Sequence, residues 1–156
     1  MAFFRFHHLV DQYTIPQHWL IGIQAFRMLG GVFLILYVQG TLPGEFALPA
    51  GLGDLITGIT ALIVAYLYFA RCAGHRWIVW GWNLFGFADL ILALVVGIMT
   101  TPEPTKLLAV GFPYTEYGMT GALPLILIPA YRVPQGIFLH ILSMRALARD
   151  RYRLDF

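Results

Sequence analysis

FRMLGGVFLILYVQGTLPGEFALPAGLGD occupies residues 26–54, and the way it is read decides the fold. Val32 to Val38 form an unbroken apolar run, which stops at Gln39-Gly40-Thr41. Pro43-Gly44 is a turn signal. Pro49 stands near the first position of a second helix, where a missing N–H costs little. Gly51 and Gly53 leave room for another backbone to approach where Asp54 enters the apolar stretch. The stretch reads as two apolar helices joined by a short turn, with a charge inside each, Arg27 and Asp54. A tight helical hairpin with an interfacial Phe46 is the preferred reading of the turn. The other reading is an outer mouth leading to an interior site.

Composition places this hairpin in a membrane. Of 156 residues, 59% are hydrophobic and 12% charged, against about 45–50% and about 25% in a soluble domain. So few charges cannot cover a water-facing surface, which argues against a soluble enzyme, a nucleic-acid binder and a disordered regulator. Ten basic and eight acidic residues leave a net charge of +2, too small an excess for a phosphate-binding surface. The single cysteine, Cys72, forms no internal disulfide, and no Cys/His zinc spacing is present.

Crossing roughly 30 Å of hydrocarbon takes about 20 apolar residues in a helix. Working outward from residues 26–54, four segments qualify: about 18–38, 49–70, 77–99 and 121–144. The first lacks the basic flank and cleavage site of a signal peptide and reads as a retained span. The expected fold is an all-α polytopic membrane protein: one domain over residues 1–156, four spans in a compact bundle. A short helix lying on the membrane surface is one reading of residues 1–14, where Phe3, Phe6 and Val10 recur at helical spacing; a loosely ordered tail is the other. Arg5, Arg71, Arg76, Arg145, Arg149, Arg151 and Arg153 fall on one side of such a bundle and Lys106 on the other. Seven against one predicts that both termini are cytoplasmic. Trp19, Trp77 and Trp80 sit at the same ends, where indoles anchor spans.

Spans pack through small residues and a few interior polar groups. Each expected span carries such a stripe: Gln24, Arg27 and Gly31; Gly51, Asp54, Gly58, Ala61 and Ala65; Gly86, Asp89, Ala93 and Gly97; Arg132, Gly136, His140 and Ser143, with Gln135 alongside. Arg27, Asp54, Asp89 and Arg132 lie well inside the apolar segments and balance in charge. A lone charge at mid-bilayer costs at least about 2.5–3.5 kcal/mol, so pairing is expected. By helical rise, Arg27 lies roughly 14 Å from the cytoplasmic ends, Asp89 and Arg132 roughly 18 Å, and Asp54 roughly 24 Å. Asp89 and Arg132 are then the best-matched pair by level, although an arginine's long stem lets Arg27 or Arg132 reach the neighbouring level too. The charges read either as ion pairs holding helices in register or as a site for a polar ligand or a proton path. Pro124, Pro129 and Pro134 predict a broken fourth helix whose freed carbonyls Arg132 and Gln135 could satisfy.

The stretch quoted above, followed by WNLFGFADLILALVVGIMTTP and LPLILIPAYRVPQGIFLHILSMRAL, resembles a family of uncharacterised bacterial multi-span membrane proteins over about residues 25–147. Arg27, Pro43, Ala50, Gly51, Gly53, Asp54, Asn83, Asp89, Pro129, Pro134 and His140 carry the resemblance. Arg132 departs from the pattern, which is more often apolar there. The resemblance implies a bacterial inner-membrane location and brings no reaction.

His18 and His140 open and close facing spans at similar depth and could ligate a b-type haem, or with His75 a metal ion, although no spacing motif supports this. Three functions are weighed. The first is a non-enzymatic membrane module with a charge-paired interior, either an accessory subunit of a larger membrane complex or a small channel-like or carrier-like protein. The second is a redox protein holding haem or quinone between His18, His140 and the interior charges. The third is a membrane enzyme acting on a lipid or small apolar substrate, with Asp54, Asn83 and Asp89 as its polar groups. Ser143 stands one turn from His140, but no acid on that stripe would orient the histidine. Expected partners are the lipid bilayer and either a second copy of the chain or a larger complex, with no nucleic acid.

Overall fold

A computed structural model describes residues 15–99 and 128–152, and every regular element among them is helical. Helix α1 spans Gln17–Val38, α2 Gly44–Phe69, α3 His75–Met99 and α4 Val133–Tyr152, the last preceded by a π-helical turn over Ile128–Arg132. Three of these are long and apolar enough to cross a membrane: Gln17–Val38, Gly44–Phe69 and His75–Gly97. The expected surface helix over 1–14, the first part of the expected fourth span with Pro124, and the loop holding Lys106 lie outside the described residues.

Within α1 the backbone tightens to a 3-10 helix over Ile23–Gly31. Three residues per turn place Gln24, Arg27 and Gly30 in line, and these are the buried residues of the stretch. The expected stripe had Gly31 as its third member, because it assumed 3.6 residues per turn. The looser rise of about 2.0 Å per residue also lifts Arg27 by about 2–3 Å relative to an α-helix.

Helix α1 ends on Gly40, whose φ of +70° is the left-handed conformation of a helix C-terminus. The amides of Gly40 and Thr41 return to the Tyr37 and Leu36 carbonyls at 2.9 Å each. Helix α2 then starts at Gly44, with Glu45 in its first turn, where the helix dipole favours an acid. Pro49 therefore lies inside α2 and not near its start. Phe46, expected at the interface, is buried edge-on against Phe33, with ring centroids 5.1 Å apart.

The α2–α3 turn uses the same C-terminal bonding without glycine. Arg71 takes φ +51°, and the amides of Arg71 and Cys72 reach the Tyr68 and Leu67 carbonyls at 3.1 Å each. Helix α4 packs against α3 and the start of α1. It runs past the expected end at 144, and Arg76 holds its Leu147 carbonyl at 2.9 Å. Pro134 falls in the first turn of α4, immediately after the π turn, which absorbs the break that proline makes in the helical ladder.

Two apolar clusters make the core among the described residues. Ile21, Ala61, Val64, Val79, Trp82 and Leu147 form one, and Phe33, Leu42, Phe46, Ala47 and Ala50 form the other. Along α1, α2 and α3, the charged residues lie between the positions that contribute to these clusters.

Candidate functional site

Arg27 is the hub of the interior. Its 3-10 face points at α2, α3 and α4, and the side chain is 2% exposed. Nε donates to Asp54 Oδ1 at 2.7 Å, and Nη2 donates to Asp89 Oδ2. Nη1 reaches the Gly86 carbonyl at 3.0 Å and His140 Nε2 at 3.2 Å. One guanidinium thus ties three other helices, which its planar fork of five donors can do and a lysine cannot.

The expected Asp89–Arg132 pair does not form; Asp89 pairs with Arg27. Matching by depth favoured Arg132 because an α-helical rise set Arg27 below Asp89, a gap that the 3-10 rise and the long arginine stem close. Arg132 instead donates to the Phe26 carbonyl at 2.5 Å, with its guanidinium 4.7 Å from the centroid of the Phe26 ring. It satisfies a carbonyl of α1; the carbonyl that Pro129 would free, at residue 125, lies outside the described residues. Gln135 sits half-buried in the first turn of α4.

From Arg27 a second arm runs toward the N-terminal end of α1. His140, fully buried, meets Asn83 Oδ1 through Nδ1 at 2.9 Å. Asn83 Nδ2 donates to the Val79 carbonyl and to Ser143 Oγ, each at 2.9 Å. Gln17 Nε2 donates to the same hydroxyl at 2.7 Å and to the Ser143 carbonyl at 3.1 Å. His140 therefore bonds to Asn83 and Arg27 rather than to Ser143. Gln17 was not singled out from the sequence, because a glutamine at a helix start carries no spacing signal.

Close helix approach makes room for these groups. A Cβ on Gly53 would overlap the Asp89 carboxylate, one on Gly30 the Asp54 carboxylate, and one on Gly86 the His140 ring. One on Gly58 would strike the α1 backbone at Met28. Gly53 and Gly58 thus bring α2 against the charged faces of α3 and α1.

His18 and His140 are not brought together. His18 stacks on Trp19 and Phe69, at ring-centroid distances of 5.9 and 5.3 Å, while both ring nitrogens of His140 have protein partners. His75 Nδ1 lies 2.8 Å from the Cys72 carbonyl. Among the described residues no three His, Cys, Asp or Glu side chains gather as a metal site. A cavity of about 20 Å³ opens beside the cluster, lined by Phe26, Arg27, Asp54, Leu90, Arg132 and Val133 among others. That is room for one water-sized molecule.

A family model described as a domain of unknown function, DUF8737, matches residues 8–148, almost the whole chain. The chain belongs to the DUF8737 family. No curated protein and no solved structure matches it. The matched range takes in all of Arg27, Asp54, Asn83, Asp89, Arg132 and His140, so the whole charged interior belongs to the DUF8737 domain. An uncharacterised family, expected from the sequence, is what the comparison returns.

Proposed function

We propose that this DUF8737 chain is a non-enzymatic integral membrane module that serves as an accessory subunit of a larger membrane assembly. Its charged interior acts as a clasp that holds the four helices in register. The observation that carries this reading is the commitment of Arg27: four of its hydrogen bonds go to groups on three other helices. A guanidinium so engaged has little left for a substrate. The adjoining cavity takes no more than a water-sized guest. The bias of arginine and lysine, seven against one, supports both termini in the cytoplasm, and the resemblance to bacterial multi-span proteins supports the bacterial inner membrane as the location.

A second reading, a small channel-like or carrier-like protein, draws on one feature: Asp54 and Arg132 line a cavity at the edge of the clasp. The haem or quinone reading and the lipid-enzyme reading draw no support from the described geometry around His140 and Asn83, whose polar atoms bond one another and their neighbours.

Native mass spectrometry of the protein extracted from its own membranes in mild detergent tests the proposal. The expected spectrum shows the 17.6 kDa chain with protein-sized increments in fixed ratio. The bare chain, or a clean multiple of it, would sink the accessory reading and turn attention to transport assays in liposomes. A haem-sized or quinone-sized increment would overturn it in favour of a redox protein.

A further inference from the structure

Without Arg132 the clasp would be one positive charge short. Arg27 faces both Asp54 and Asp89, so these three residues sum to −1 in surroundings that stabilise an unbalanced charge poorly. Arg132 is the cation that shares the cavity with Asp54. It bonds neither aspartate: Nη2 donates to the Phe26 carbonyl, and the guanidinium lies over the Phe26 ring. The two arginines are held differently. Arg27 is locked by four bonds and buried, while Arg132 is half-buried on a π turn, on a long stem that can swing aside. If that stem moves, the Phe26 carbonyl and ring lose their cation, and the water-sized cavity keeps Asp54 and Phe26 in its lining. Carboxylate and carbonyl oxygens suit hard cations.

We propose that the cavity between Asp54 and the Phe26 carbonyl is a monovalent-cation position whose resident cation is the chain's own Arg132 guanidinium, and that a sodium-sized ion takes the position when that guanidinium is withdrawn. One charge balances the clasp; a divalent ion would overshoot it. This inference rests on the clasp being a charge-balanced unit.

The test is thermal unfolding of the full chain in mild detergent, in sodium chloride against N-methylglucamine chloride at equal ionic strength. The unaltered protein should melt at the same temperature in both. Arg132→Ala should melt lower in N-methylglucamine and recover by about 3 °C or more in sodium, as saturating a site found only in the folded state requires. Adding Asp54→Asn should remove the sodium effect. Arg132→Gln, which keeps a donor for the Phe26 carbonyl, carries the same comparison if the alanine variant does not survive extraction. Equal melting of the Arg132 variants in both salts, below the unaltered protein, would overturn the cation position and leave the clasp standing. Variants melting like the unaltered protein in both salts would overturn the clasp as well.

Discussion

Arg27 Nη1 and His140 Nε2 stand 3.2 Å apart in the buried interior, and this pairing selects the histidine's tautomer. A guanidinium only donates, so Nε2 accepts and Nδ1 carries the hydrogen that Asn83 Oδ1 receives at 2.9 Å. Nitrogen-15 NMR of histidine-labelled protein should show His140 as the neutral Nδ1–H form. An Nε2–H signal would mean that Arg27 does not reach the ring.

Removing Arg27 should be costly. Arg27→Met leaves two aspartates facing each other without their cation, and breaking a buried ion pair from one side costs about 3–5 kcal/mol. The triple variant Arg27→Met/Asp54→Asn/Asp89→Asn should regain most of that loss, read as melting temperature in detergent. A triple variant as unstable as the single one would show that these charges do more than balance one another.

Glycine contacts make a paired prediction on close approach. Gly53→Ala drives a methyl into the Asp89 carboxylate, whereas a Cβ on Gly81 meets nothing within 4 Å. Gly81→Ala should be neutral or stabilising by up to about 1 kcal/mol, as helix propensity predicts. Gly53→Ala should lower the melting temperature and weaken the Arg27–Asp89 pair. Equal melting of the two variants would mean that α2 and α3 do not approach closely at Gly53.

Two helix C-termini share one bonding pattern and differ in the residue at the left-handed position, Gly40 after α1 and Arg71 after α2. Left-handed backbone costs a side-chain-bearing residue roughly 1–2 kcal/mol. Arg71→Gly should therefore stabilise by up to about 1 kcal/mol and Gly40→Ala should destabilise by about as much. Denaturant titration of the two variants checks both signs. A loss of stability in Arg71→Gly would show that the arginine side chain contributes more than its backbone costs.

Gln24 offers a contrast with Gln17. Both are buried, but neither amide atom of Gln24 has a hydrogen-bond partner among the described residues, while Gln17 Nε2 holds Ser143. Replacing an unsatisfied polar group by an apolar one of similar shape is neutral or stabilising. Gln24→Met should therefore melt no lower than the unaltered protein, and Gln17→Met should melt lower. A large drop for Gln24→Met would reveal a partner that the described residues do not supply.

Three apolar segments, at about 18–38, 49–70 and 77–99, were legible as helices because hydropathy and length act locally and need no neighbour. Small and polar stripes likewise picked out Gly51, Gly58, Gly86, Gly136 and His140 as inward-facing, and the structure buries all five. An intramembrane charge marks itself by its cost in lipid, so Arg27, Asp54, Asp89 and Arg132 stood out at once.

Which charge meets which was decided by the tertiary structure. A rise of 1.5 Å per residue put Arg27 below Asp89, but the 3-10 stretch lengthens α1, and the guanidinium reaches both aspartates. Gly30 replaced Gly31 on the inner face for the same reason, since three residues per turn is a helical form that the sequence does not announce. Phe46 went inward because Phe33 lies across the hairpin to receive it. By itself, the sequence determined that this chain forms apolar helices carrying a balanced set of interior charges, because burial and helicity depend on each segment's own residues. Only the tertiary structure decided that Arg27 is the hub and Arg132 the outlier, because pairing depends on distances set by helix pitch, glycine-permitted approach and side-chain reach acting together.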